Sequence, residues 1–226
     1  MAFTFTYPTP LPNTKGWGPG WPDCQSGKMV THPVFKPSLH EDIHELVTIL
    51  VYEIESRGFR FLDPGCWGYA CRGTKAQDGS LSDTPSFHSW GLAIDINAPK
   101  NPFGQPESSS QIATDERWVV PFLRSYGFFW LGPAIKDWMH FSFCGSREDA
   151  RRMTIKARKE LGDVKYDEFE DGIRAYWHGD PEPTQDGPKR FGWNVARRAE
   201  TRPAADDPTT HSHPLEDHKH TPGGVV

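Results

Sequence analysis

The sequence predicts an α+β fold, a small antiparallel sheet flanked by helices, with a helical appendage at the C-terminal end. Three patterns lead there. Leu39, Ile43, Leu46, Val47, Leu50 and Ile54 recur at helical spacing. Leu92, Ile94 and Ile96 alternate with Ala93, Asp95 and Asn97, the period of a strand with one face in the core. After Gly145, charged segments of helical length replace the short apolar runs.

Residues 1–37, rich in Pro, Gly and Trp, read as an extended arm that packs on a domain rather than forming one. Residues 38–145 read as the main domain. Its first helix is expected to open on a capping box from Ser38 to Glu41 and to stop at Gly58. A loop-rich stretch over 59–85 carries Trp67, Tyr69 and Arg72, and the strand at 92–97 follows it. Residues 115–127 look helical, and 128–130 and 140–143 look like short strands. The appendage spans 146–200, with helices expected at 146–161, 168–177 and 189–200. From 201 to 226 Pro, Asp, Thr and His dominate, and the segment has too little to bury to offset its ordering entropy, so disorder is expected.

A formal charge of −5 and a pI near 6.0 argue against nucleic-acid partners and anionic membranes, and no apolar run is long enough for membrane insertion. The first residues, Met1-Ala2-Phe3-Thr4-Phe5-Thr6-Tyr7-Pro8, lack the basic start and apolar stretch of a signal peptide, which implies synthesis in the cytoplasm. A monomer is expected. Cys24, Cys66, Cys71 and Cys144 are too few and too scattered for a disulfide scaffold. Cys66 and Cys71 could pair, but free thiols are the expected state.

Chemistry concentrates in two segments, Ser86-Phe87-His88-Ser89-Trp90-Gly91-Leu92-Ala93-Ile94-Asp95 and Asp137-Trp138-Met139-His140-Phe141. Asp95 lies on the strand face opposite Leu92, Ile94 and Ile96, so its carboxylate points away from the core. Gly91 permits a tight turn that brings His88 back beside it. His140 opens a second short strand that can lie alongside. Two imidazoles and a carboxylate are a ligand set for catalytic zinc, which takes three protein ligands and keeps one position open. Asp137, three residues before His140, can reach a water at that position and serve as general base.

At these residues the chain resembles the zinc D-alanyl-D-alanine carboxypeptidase family, which includes phage L-alanyl-D-glutamate endopeptidases and is related to the hedgehog fold. Gly68-Tyr69-Ala70-Cys71-Arg72 is similar to that family's arginine segment. Asp95-Ile96-Asn97 with Asn101-Pro102-Phe103, and Gly127-Phe128-Phe129-Trp130, are similar to two further stretches. The resemblance covers roughly residues 40–145 and implies one Zn2+ ion held by His88, Asp95 and His140, with Asp137 and Arg72 catalytic. Arg72 would polarise the scissile carbonyl or hold a substrate carboxylate. Ser86 would position substrate. Trp90 and Trp138, beside the ligands, would either contact glycan or peptide stem or simply bury. Family members commonly carry Glu where this chain has Ser142.

The function so implied is hydrolysis of peptide bonds in bacterial peptidoglycan stem peptides, by a phage lysin acting at the cell wall. The bond is either D-Ala-D-Ala or L-Ala-D-Glu. Two alternatives stand beside it. One is a non-catalytic, zinc-containing wall-binding module of the same fold. The other is a zincin-type protease, because His40-Glu41-Asp42-Ile43-His44 is a literal H-E-x-x-H. Against the zincin, Glu41 already has a capping role and His40 falls in the frayed first turn.

Overall fold

This computed structural model describes residues 12–76 and 78–162, then 171–175, 178–183, 192–194 and the single positions 168, 189 and 197. The elements run in an α+β order. β1 (Met29–Thr31) pairs antiparallel with β2 (Ser38–His40), and α1 (Glu41–Ser56) follows at once. β3 (Gly73–Lys75) and β4 (Leu81–Pro85) form a hairpin. Next come β5 (Ala93–Asp95), α2 (Gln111–Thr114), α3 (Val119–Ser125), β6 (Phe128–Trp130), α4 (Gly132–Ile135), β7 (His140–Phe143) and α5 (Arg147–Leu161). The central sheet has the order β5-β7-β6, with both pairs antiparallel.

Helix α1 lies on the core because its apolar stripe is continuous: Ile43, Leu46, Val47, Leu50 and Ile54 are all buried. They pack in one cluster with Ile94 and Ile96 from the β5 region, Phe128 from β6 and Phe141 from β7. Helix α5 then crosses α1. Ala150 and Ala157, both fully buried, let the two backbones approach. Arg147 pairs with Asp42 and Arg158 with Glu45 across the contact. The start of α5 carries a true capping box, in which Ser146 and Asp149 each satisfy the other's backbone N–H.

Four expectations are corrected. The first helix begins at Glu41, and its N-cap is His40, whose ring nitrogen accepts from Asp42 N. Ser38 belongs to β2 instead, because the arm supplies β1 as its partner, and a pairing of that kind leaves no mark in a local pattern. The arm is therefore no plain extension: it holds 3-10 turns at Pro12–Lys15 and Ser26–Lys28, and its Trp17 is buried and donates to Gly145 O. The helix expected over 115–127 is shorter, α3 at Val119–Ser125, and a separate short helix, α2 at Gln111–Thr114, precedes it.

The last correction concerns the cysteines. Cys24 and Cys71 form a disulfide, while Cys66 and Cys144 are free. The bond ties the arm to the stretch just before Arg72, across 47 residues of chain, a separation that spacing alone cannot reveal. Closing a loop of that length stabilises mainly by restricting the unfolded chain. The double variant Cys24→Ser, Cys71→Ser is expected to lose about 2–4 kcal/mol in non-reducing urea denaturation. An unchanged midpoint would show that the bond does not form in the folded protein.

Residues 171–175 and 192–194 are helical, and the rest of the helices expected at 168–177 and 189–200 lie largely outside the described residues. The tail at 201–226 lies wholly outside them. Among the described residues no helix is long and apolar enough to cross a membrane.

Candidate metal centre and cleft

The register of β5 on β7 builds the centre. Ile94 faces Phe141 and Asp95 faces His140, so the apolar pair fills the core while the polar pair meets on the other side of the sheet. His88 arrives from a 3-10 turn, Phe87–Trp90, whose N-cap is Ser86: its hydroxyl accepts from His88 N. Gly91 closes that turn at φ 64, and a Cβ there would lie 2.5 Å from Met29 Sδ and 2.7 Å from His40 N. The glycine lets the chain reverse under β2 and feed directly into β5.

Three ligand atoms converge. His88 Nε2 lies 3.1 Å from His140 Nδ1 and 3.2 Å from one Asp95 oxygen, and the other Asp95 oxygen lies 3.0 Å from His140 Nδ1. Zinc bonds of about 2.0–2.1 Å in a tetrahedron put neighbouring ligand atoms roughly 3.3 Å apart. The donor set therefore fits a zinc ion in spacing as well as chemistry. All three residues are buried, and among the described residues they form the one such group of His, Cys, Asp or Glu.

The outer nitrogens fix how the rings face. His88 Nδ1 lies 2.5 Å from Gly68 O, which can only accept, so this nitrogen carries the proton and Nε2 of the neutral ring presents a lone pair inward. Gly68 can be nothing larger, since a Cβ would lie 2.3 Å from Ser38 O. His140 Nε2 lies 2.7 Å from Ser142 Oγ. With Nδ1 turned toward Asp95, Nε2 is the nitrogen left to share a hydrogen bond with that hydroxyl.

Burial alone would raise Asp95, but the imidazoles of His88 and His140 more than reverse this and hold it well below the usual carboxylate range. Burial likewise lowers His140, and Asp95, with Asp137 behind it, brings it above the ordinary histidine value. Asp137 is different. Burial pushes its carboxyl up to about 6, with His140 pulling down, Asp95 pushing up, and His88 and Arg72 pulling down. Its Oδ1 is buried without a hydrogen-bond partner. An unpartnered buried carboxylate oxygen beside three converging ligand atoms is costly unless a group bound there meets it, which fits a metal centre.

These residues form part of a cleft of about 860 Å³. Arg72 lines it, half-buried, with its guanidinium held by Gly73 O at 3.0 Å. Ser86 lines it too. Residues 80–143 match the family model for D-alanyl-D-alanine carboxypeptidase. The matched span is a little over a quarter of the chain and contains His88, Asp95, Asp137 and His140, whereas Arg72 precedes it. No curated protein and no solved structure matches the chain.

Two of the tryptophans named from sequence are elsewhere. Trp90 is buried and donates to Gly18 O, and Trp138 is buried and donates to Gln105 O, so both hold loops rather than line the cleft. The tryptophan on the cleft is Trp67, whose backbone pairs with Asp95 in both directions and extends the sheet beyond β5. Sequence gave no period or spacing that marked it. Phe103, Leu131, Ile135 and Met139 form the apolar part of the lining and were likewise not singled out for it. Asn97 and Asn101, within the motif stretches, prove structural: their buried amides tie the end of β5 to Arg60, Leu62 and Ile112.

The zincin alternative is overturned. His40 caps α1 from outside it and packs edge-on against Trp17 at 4.8 Å, Glu41 pairs with Lys28 at 2.9 Å, and His44 meets Thr31 O at 3.1 Å. A zincin needs both imidazoles on successive turns of one helix, facing one point. Here the first one is not on the helix.

Proposed function

We propose that this chain is a zinc metallopeptidase that hydrolyses peptide bonds in the stem peptides of bacterial peptidoglycan. The observation that carries the reading is the juxtaposition on the cleft of three converging ligand atoms and the unpartnered carboxylate of Asp137, within a span that matches a carboxypeptidase family. His88, Asp95 and His140 would hold the ion, which supplies Lewis acidity when bound. Asp137 takes the proton of the attacking water and delivers it to the leaving amine. Arg72, always charged and planar, stabilises negative charge developing on the scissile carbonyl oxygen or holds a substrate carboxylate. Ser86 acts by capping the turn that presents His88.

A zinc-containing wall-binding module of the same fold would need neither Asp137 nor Arg72, and a buried carboxylate without a partner would only cost it stability. A phage lysin is the setting that the family resemblance offers, with residues 38–145 as the catalytic domain and 146–200 attached to it. Mass spectrometry of peptidoglycan digested by the zinc-loaded protein tests the function. Release of D-Ala, or new ends between L-Ala and D-Glu, is the expected result and identifies the bond. Intact stem peptides would reject it.

Arg72→Lys is expected to retain zinc and lower kcat by about tenfold to a hundredfold, because an ammonium keeps the charge but not the planar fork. Wild-type kinetics in that variant would reduce Arg72 to a structural cation.

A further inference from the structure

The hairpin of β3 and β4 supplies one wall of the cleft, through Thr74, Lys75, Ala76, Asp78 and Gly79. Its ladder is irregular. Gly73 pairs with Pro85 and Lys75 with Leu81, so three residues of β4, 82–84, stand opposite Thr74 alone. A bulge of this kind bends a hairpin and re-aims its side chains. The residue immediately past it is Lys75. Its stem crosses the hairpin tip, close enough that a Cβ on Gly79 would lie 3.8 Å from Lys75 Cε.

Charge on this wall is unequal. Asp78 Oδ1 is occupied by Ser80, which donates from both its backbone N–H, at 2.9 Å, and its hydroxyl, at 2.6 Å. Lys75 is exposed and has no ion pair among the described residues. The lining also includes the apolar Phe103, Leu131, Ile135 and Met139, and its remaining acids, Asp95 and Asp137, belong to the metal centre. Asp83, the other acid of the hairpin, is not among the residues lining the cleft, so Lys75 is a cleft-wall ammonium without an ion pair among the described residues and is open to an anion from outside.

The geometry points to Lys75 as a specificity-determining residue: we infer that it selects peptides carrying a free carboxylate two or three residues from the scissile bond. The distance follows from the chain spacing. Lys75 follows Arg72 by three positions, a backbone span of at most about 10 Å, comparable to about three residues of an extended substrate. Arg72, beside Asp137, serves the reacting group, and Lys75 serves a second, more distant one. This inference rests on the peptidase reading and names the substrate class for it, an acidic peptide.

The experiment uses zinc-loaded full-length protein and pairs of synthetic stem-like peptides that differ only in a carboxylate or carboxamide at that distance. Wild type is expected to prefer the carboxylate by about tenfold in kcat/KM, equivalent to about 1.4 kcal/mol, chiefly through KM and less so at high salt. Lys75→Met is expected to abolish the preference while leaving kcat on the carboxamide peptide unchanged, and Lys75→Glu to reverse it. A Lys75→Met protein that keeps the wild-type preference overturns the inference. Cleavage of neither peptide by wild type would overturn the peptidase reading instead. Calorimetric binding of the same two peptides to wild type and Lys75→Met would then still decide the role of Lys75, since loss of the carboxylate preference in binding supports it and an unchanged preference rejects it.

Discussion

Asp137→Asn leaves zinc in place and lowers kcat by about two to four orders of magnitude, the contribution expected of a positioned general base. Asparagine keeps the shape of the side chain but cannot accept the proton of the attacking water. No protein hydrogen bond to Oδ1 is lost, because none exists. Stability gives an independent check. In the metal-free protein burial raises this carboxyl to about 6, above its unfolded value, so its contribution to stability is present at low pH and is lost as pH rises through about 6. The variant should therefore unfold at or above the wild-type midpoint at pH 7. A folded variant with full zinc and full turnover would remove Asp137 from the chemistry.

Loss of any one ligand is expected to have an equally large effect by a different route. His88→Ala, Asp95→Ala or His140→Ala leaves two donors, too few to hold the ion against dialysis, so zinc falls from one per chain to near zero and peptidase activity goes with it. Chelation of the wild type should give the same loss, and added zinc should reverse it. Glu41→Gln should do neither, since Glu41 is paired with Lys28 on the surface. Retention of a full zinc equivalent by His88→Ala and His140→Ala would show that the ion sits elsewhere.

The convergence of His88, Asp95 and His140 was legible in the sequence because their placement follows short-range rules. Alternation over 92–97 is enough to separate Asp95 from the core residues around it, and the same alternation in β7 sets His140 against Phe141. Their pairing across the sheet then follows from adjacency of the strands. Contributions made by long-range contact were hidden. Ser38 carries a helix-capping spacing, yet it lies in a strand because Thr31 pairs with it. Cys71 finds Cys24 rather than the nearby Cys66, whose thiol is buried against Asn97. Trp90 and Trp138 lie two residues from His88 and His140 in sequence, but both sit in turns rather than strands, and their indole N–H groups donate to distant carbonyls. Trp67 reaches the cleft through backbone pairing with Asp95, a link made 28 residues apart and marked by no local pattern.

Diffraction from crystals of the zinc-loaded full-length chain, collected on both sides of the zinc absorption edge, measures the position of the ion directly. The expected result is one anomalous peak bounded by His88 Nε2, the Asp95 carboxylate and His140 Nδ1, with Asp137 beside its open side. A peak at His40 and His44, or fully bound zinc with no peak between β5, β7 and the His88 turn, would contradict the account.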